Sequence, residues 1–365
     1  MAPLRIGFIG AGDNTRKMHI PGFKALDEIE LVSVVNRSPE SSQRVADEFG
    51  IAKTAPSIEA LLADDEIDAV CIGTWPNTHR DYSIAVLEAG KHVLCEARMC
   101  RNAREAEAML AASSAQPDLI AQIVPAPFDF RLGPTIQRLI REGELGEVIE
   151  TRARMINGGG LDPTAPLHWR HSYDLSGKNT MMLGILNEMI QRWLGDTKRV
   201  VADSSIRVRS RVDAETEREV TIEIPDSIQI ASEMANGSRT LYDISAVAAG
   251  NFGHAPGEVL VYGSEATLHW TFGDTARLAK HGEEPAELEP DEGTDRGWLV
   301  EQDFVASVRD GAPVELTNFR DGVRYMRFIE AVWDSWHQAR AIDMASLEAT
   351  DAAAARLSLL DEAQR

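Results

Sequence analysis

Residues 167–179 read "LHWRHSYDLSGKN", a segment that holds His168, Arg170, His171, Tyr173, Asp174, Lys178 and Asn179. This mixture suits proton transfer on a hydroxylated substrate. A histidine takes up a proton near neutral pH, and a tyrosine does so when a neighbouring cation lowers its pKa. A second chemical stretch, "HVLCEARMC" at 92–100, runs a cysteine-bearing apolar strand into Glu96 and Arg98. A guanidinium stays protonated, so Arg98 is no base. It is a candidate anion clamp, and with Arg170 and Lys178 it would form a small basic pocket for a substrate bearing a carboxylate, sulfonate or phosphate. The competing reading pairs Arg98 with Glu96 or another carboxylate.

The N-terminal "RIGFIGAGDNT" places Gly10 and Gly12 directly after an apolar strand and directly before a helical pattern. There Gly10 permits a tight turn, Gly12 lets backbone approach a pyrophosphate, and the helix start at Asp13 and Asn14 offers unpaired N–H groups to its charge. Thr15 stands at the usual third-glycine position, so helix and strand must sit slightly farther apart. The second strand ends "VVNRS", with Asn36 where an acidic residue often holds the adenosine ribose. Asn36 can bond the hydroxyls of NAD, and Arg37 can pair with the 2′-phosphate of NADP or lie solvated. Both cofactors stay open.

The elements that must position these groups alternate over the first third of the chain. "RIGFIG", "ELVSVV", "DAVCIG", "KHVLCE" and "DLIAQIV" are short apolar strands separated by helical patterns at 15–26, 39–49, 77–89 and 102–115. That order predicts βαβ units and a parallel sheet, a dinucleotide-binding domain over residues 1–124. Pro125 and Pro127 close it, because proline cannot donate into a central strand. From 125 to 345 the pattern changes. A helix at 132–142, the strand "EVIETRARMI", a Gly/Pro-rich stretch and a helix at about 180–194 precede several alternating runs such as "SIQIASEMA" and "EVLVYGS". These predict an α+β domain with a large, mostly antiparallel open sheet. Helices near 297–309 and 319–340 follow, then a helical, Ala-rich tail at 346–365.

Charge narrows the partners. Asp+Glu number 58 against Lys+Arg 37, a formal net charge of -21, which repels phosphate backbones and anionic lipid surfaces. Nucleic-acid and membrane partners are therefore disfavoured, and a small-molecule substrate is expected. Cys71, Cys95 and Cys100 form an odd set in apolar runs and read as reduced core residues, with no metal site. The chain shows no charged-then-apolar leader and no run approaching roughly 18 apolar residues, so a cytoplasmic protein is expected.

"GFIGAG", "GTWPNTHRDYSIAVLEAGKHVLCE", "GELGEV", "WR", "SG" and "RWLG", in that order, resemble the glucose-fructose oxidoreductase/inositol dehydrogenase (Gfo/Idh/MocA) family. The resemblance implies a Rossmann domain with a nicotinamide cofactor, then a domain whose open sheet makes a homo-oligomer interface, dimer or tetramer. It implies a sugar, polyol or related alcohol as substrate, held between the two domains. By the same resemblance Thr74, Pro76, Asn77 and His79 border the cofactor, Glu96 sits beside the nicotinamide half, and Trp169 and Arg170 lie near cofactor and substrate.

The chain also departs from the family. Members typically continue Glu-Lys-Pro after this strand, with an aspartate and a histidine four residues apart in the second domain. Here Ala97 and Arg98 replace lysine and proline, and alignment on Gly184 puts Met182 and Leu186 at the later pair. At about 100° per residue, Met182, Leu186, Met189 and Trp193 form an apolar face, with Gly184, Asn187, Glu188 and Gln191 on the other side. Only a shifted register would bring Glu188 to the substrate as a catalytic carboxylate. Replacement proton chemistry then falls to His168, Tyr173 and Lys178, with Arg98, Arg170, His171, Lys178 and Asn179 holding substrate. Three activities follow from the resemblance: an NAD(P)-dependent oxidoreductase on a secondary sugar hydroxyl; a redox-neutral glycoside-cleaving enzyme that retains its cofactor; or a non-catalytic sugar or nucleotide sensor.

Overall fold

The computed structural model describes residues 2–249 and 257–347 and divides into two compact units, 1–125 with 298–323, and 126–297 with 324–365. The expected tail at 346–365 lies, from residue 348, outside the described residues.

In the first unit, β1 (Leu4–Ile9), β2 (Ile29–Val35), β3 (Lys53–Thr54), β4 (Ala69–Ile72), β5 (His92–Cys95) and β6 (Ala121–Ile123) make a six-stranded parallel sheet ordered β3-β2-β1-β4-β5-β6. The central strands are buried along almost their whole length, as a sheet covered on both faces requires. The strand order reverses at β1/β4, the switch point where such sheets take ligands. Side chains fix where the helices start. Ser38 caps α2 (Pro39–Phe49) at the Ser41 N–H with proline at the first helical position, and Gly50 ends it in the left-handed region. Asn102 likewise caps α5 (Ala103–Ala115), while α1 is Ile20–Lys24, α3 Ile58–Leu62 and α4 Pro76–Glu88. All three cysteines are free and buried.

The sequence reading assigned residues 298–323 to the second domain; in the structure they belong with the first unit. Phe304, on the helix Val300–Asp310, meets Phe23 of α1, which in turn meets Phe8 of β1, and Asn318 bridges Gln122 of β6. Helical periodicity reports that one face is buried, not against which partner.

In the second unit, α6 (Gly133–Arg141), α7 (Tyr173–Ser176) and α8 (Leu183–Leu194) accompany a nine-stranded sheet. Its strands are β7 (Val148–Ile156), β8 (Thr197–Ser205), β11 (Ser227–Met234), β12 (Arg239–Ser245), β13 (Gly257–Gly263), β14 (Ala266–Thr271), β15 (Thr275–Lys280), β16 (Ala286–Glu287) and β17 (Ile342–Asp343). A separate hairpin pairs β9 (Ser210–Val212) with β10 (Glu219–Thr221). The order is β16-β15-β14-β13-β7-β12-β11-β8-β17, antiparallel throughout except for β7 with β12. One face buries Ala153, Ile230, Tyr242, Val259 and Leu268. The opposite face leaves Val201 (50% exposed) and Leu241 (41% exposed) open, both registered against Ala231.

The sequence pattern of α8 predicted one apolar and one polar face. Instead the helix is buried nearly all round: Asn187 is fully buried and donates to the Tyr242 hydroxyl at 2.9 Å, and Glu188 is 3% exposed. Two-sided periodicity fails here because the polar side chains find polar partners inside.

Candidate functional site

Gly10, at the carboxyl end of β1, has φ +76°, a conformation L side chains avoid. A Cβ there would lie 2.5 Å from Thr74 Cγ2, and one on Gly12 would lie 2.9 Å from the Gly73 carbonyl. Both glycines are thus required by the close approach of the first turn to the loop after β4. Thr15 fits at the third-glycine position because Gly73 makes room: a Cβ on Gly73 would come within 1.9 Å of Thr15 Oγ1. The compensating glycine sits on the other strand, so the space for Thr15 does not have to come from moving the helix away.

The turn leads into a helical segment with a π turn over Thr15–His19, a local widening frequent at functional positions. The N–H groups of Gly12, Asp13 and Asn14 meet no acceptor among the described residues, and all three residues are exposed. Asn77 Oδ1, at the start of α4, is buried without a hydrogen-bond partner among the described residues. Free amides at a helix start fit a phosphate, and an orphaned acceptor in the same unit fits a hydroxyl or amide N–H of a nucleotide. The Asp13 carboxylate pairs with Lys17 at 2.8 Å on the surface.

Asn36 is built into the turn. Its Oδ1 accepts the Ala11 N–H at 2.7 Å and its Nδ2 donates to Ser41 O at 3.1 Å, so it braces the glycine loop where a ribose contact had been expected. Arg37 is exposed at the same strand end. His79 is corrected more sharply: it is fully buried, with Nδ1 at 3.0 Å from the Arg98 carbonyl and Nε2 at 3.1 Å from the Thr74 carbonyl. With a backbone carbonyl beside each ring nitrogen and one N–H to donate, the neutral ring ties two βα loops together. Burial holds its pKa below the ordinary value. Pro76, also buried, opens α4. Arg98 is 5% exposed, so its guanidinium is not the open anion clamp that the sequence suggested.

Glu96, at the end of β5, is the hub of this unit. Its Oε1 accepts Asn14 Nδ2 at 2.5 Å and faces His19 Nε2 at 2.9 Å, while Oε2 accepts the Ala97 N–H at 3.0 Å. Burial opposes its charge, but these bonds, His19 first, hold its carboxyl below the usual range. His19 in turn faces Glu301 Oε1 through Nδ1 at 2.5 Å, and Glu301 also takes the Trp298 indole N–H. His19 and Glu301 were not anticipated. The signal available was a histidine at i+4 from Thr15 on an otherwise apolar helix face with Ile20 and Phe23, a buried polar residue that needs partners.

In the second unit the segment from His168 is folded by its own side chains. His168 Nδ1 accepts the Arg170 N–H at 3.2 Å, and His171 Nδ1 accepts the His168 N–H at 3.4 Å. A neutral imidazole that accepts at Nδ1 carries its proton on Nε2. Both histidines therefore present N–H donors, and His168 is not the base expected from sequence. Burial, then Arg211, push His171 down to about 4, and burial with Arg170 lowers His168. Arg211 also anchors the preceding loop, donating to the carbonyls of Gly160, Asp162 and Ala165 at 2.9 Å each.

Arg170 stacks over Trp169 at 4.1 Å and is exposed. Lys178 pairs with Glu330 and lies 4.0 Å from Asp334, so its ammonium is already matched. Asn179 is buried and donates to Ser176 O at 2.6 Å. Glu188 is not at a reacting centre: it accepts the Ala126 N–H at 3.1 Å and Arg192 at 3.0 Å, and Arg192 continues to Asp129 at 2.5 Å. That chain of ions closes the base of α8. Tyr173, 38% exposed, packs its ring 5.7 Å from Trp333, and its hydroxyl has no hydrogen-bond partner among the described residues.

Two family models match. "Oxidoreductase family, NAD-binding Rossmann fold" (GFO_IDH_MocA) covers residues 4–121, and the GFO/IDH/MocA C-terminal domain covers 134–269. Levoglucosan dehydrogenase of Pseudarthrobacter phenanthrenivorans is 27% identical over 48% of this chain and 45% of its own length. D-glucoside 3-dehydrogenase of Escherichia coli is 27% identical over 44% of this chain and 45% of its own. The matched regions thus span less than half of either protein. A levoglucosan dehydrogenase structure, solved with NADH and L-sorbose, superposes with a TM-score of 0.83 at 20% identity, over 93% of this chain and 98% of that one. At that identity the likeness establishes the fold.

Proposed function

The chain belongs to the Gfo/Idh/MocA oxidoreductase family, and on that premise we propose that it is an NAD(P)-dependent oxidoreductase acting on a secondary hydroxyl of a sugar or sugar derivative. The observation that carries the reading is the glycine turn: unpaired amides at Gly12, Asp13 and Asn14 open beside Glu96 at the switch point of a parallel sheet. The relatives' named substrates, levoglucosan and D-glucosides, support a sugar.

The nicotinamide ring, when bound, supplies the acceptor for the hydride leaving the carbinol carbon. Residues 12–14 hold the pyrophosphate, and Glu96 borders the nicotinamide end. The hydroxyl proton must then pass to a side chain. With Glu188 locked, Lys178 paired and both histidines protonated at Nε2, the Tyr173 hydroxyl is the group we assign to relay the substrate proton, taking it in oxidation as it passes its own to solvent and returning one in reduction. His168 and His171 donate Nε2–H to substrate oxygens. An anionic substituent, where the substrate carries one, meets Arg170, exposed on Trp169, and not the buried Arg98.

A homo-oligomer through the open sheet is part of the same proposal. Val201, Ala231 and Leu241 form an apolar cross-strand row on its uncovered face, next to Arg152. The activity is tested by following reduced nicotinamide on incubation with neutral and acidic sugars and glycosides. Glycoside cleavage with no net reduced nicotinamide would favour the redox-neutral reading instead.

A further inference from the structure

His19 is fully buried, and each of its ring nitrogens faces a carboxylate. Ionised carboxylates only accept, so both nitrogens must carry hydrogens and the ring is an imidazolium. Its two partners differ in what else they do. Glu301 is 3% exposed, is held by the Trp298 indole at 2.9 Å, and lies where a Cβ on Gly22 would come within 2.6 Å of its Oε2. It is a fixed, interior anchor. Glu96 stands at the strand end, its side chain 13% exposed, with Oε2 bonded among the described residues to its neighbour's N–H alone. The π turn over Thr15–His19 is the element that carries the imidazole between them. Asn14 is the remaining polar side chain on Glu96, and the thiols of Cys71 and Cys95 nearby are kept neutral by burial.

We propose that His19 and Glu301 are positioning residues that orient Glu96 at the nicotinamide end of the cofactor site, so that recognition of the nicotinamide depends on them while recognition of the adenosine half does not. This rests on the cofactor reading above. Burial opposes the charge on His19, yet its bonds to Glu301 and Glu96 raise its pKa to about 9, so the arrangement persists through neutral pH.

The test is calorimetric titration of the oxidised cofactor, the reduced cofactor and the matching ADP-ribose, which lacks nicotinamide. The proteins are wild type, His19→Gln, Glu301→Gln, Glu96→Gln and the His19→Gln/Glu96→Gln double variant. Loss of one charge-assisted hydrogen bond corresponds to about tenfold. His19→Gln and Glu301→Gln should each weaken the oxidised and the reduced cofactor about that much and leave ADP-ribose unchanged. In the Glu96→Gln background, His19→Gln should add nothing. Wild-type preference for oxidised cofactor over ADP-ribose should fall as pH rises through about 9. Equal weakening of all three ligands, or unchanged oxidised-cofactor affinity in both single variants, overturns the positioning role while leaving the cofactor reading intact. Wild type binding none of the three overturns both.

Discussion

His19 Nε2 lies 2.9 Å from Glu96 Oε1, and its Nδ1 lies 2.5 Å from Glu301. One imidazolium thus joins the first helical segment to the end of β5 and to a helix 282 residues farther along the chain. The consequence for stability has a definite sign. The folded pKa of about 9 exceeds the ordinary 6.5, so the folded state holds a proton that the unfolded chain has released between those values. The contribution is fully present below 6.5 and is lost as pH rises through about 9. Wild type should lose up to about 3 kcal/mol across that window. In His19→Gln the corresponding decline in Tm should vanish; a Tm against pH curve parallel to wild type contradicts this.

Glu188 should prove structural. It is 3% exposed and engages Ala126 and Arg192. Glu188→Gln removes a charged partner from Arg192 but leaves Asp129, for a loss on the order of 1–3 kcal/mol. Thermal unfolding should register that loss while kcat stays within about twofold of wild type. A kcat lowered a hundredfold in a folded variant would restore Glu188 to the chemistry.

Tyr173→Phe should do the opposite. Removing a proton-transfer group costs about 10²-fold or more in kcat. Tm and cofactor affinity should hold, because the ring still packs on Trp333 and the hydroxyl serves no bond among the described residues. His168→Ala should mainly raise KM, since its Nε2–H is a donor to substrate. If Tyr173→Phe retains full kcat, proton transfer runs elsewhere.

The sheet face offers a fourth expectation. Val201→Arg combined with Leu241→Glu places charges on the exposed apolar row without touching the buried face. Light scattering should show the variant dissociated at concentrations where wild type is oligomeric. A wild-type monomer, or an unaltered mass, rejects this interface.

Much of the first unit could be read from the chain because its signals are local. Pro39 after Ser38 starts α2, Gly50 ends it, and Gly10 marks the turn after β1. What stayed hidden depends on contacts distant in sequence. Nothing near His19 names Glu301, and nothing in the pattern of residues 298–323 says that they return to the first unit. Residue type also misled where hydrogen bonding decides the role. His79 reads as a cofactor contact and is a buried tie; His168 reads as a base and is a donor; Glu188 reads as available only in a shifted register and is ion-paired. Segment 167–179 was recognisable as polar and dense, but its tautomers follow from backbone geometry that composition does not encode.

The central claim is tested most directly by incubating the protein with NAD+ or NADP+ and a panel of neutral and anionic sugars and glycosides while recording reduced nicotinamide. Sugar-dependent formation of reduced nicotinamide is the expected result, slowed about 10²-fold or more in Tyr173→Phe. A protein that binds neither cofactor, or that binds one yet reduces none with any sugar of the panel, contradicts it.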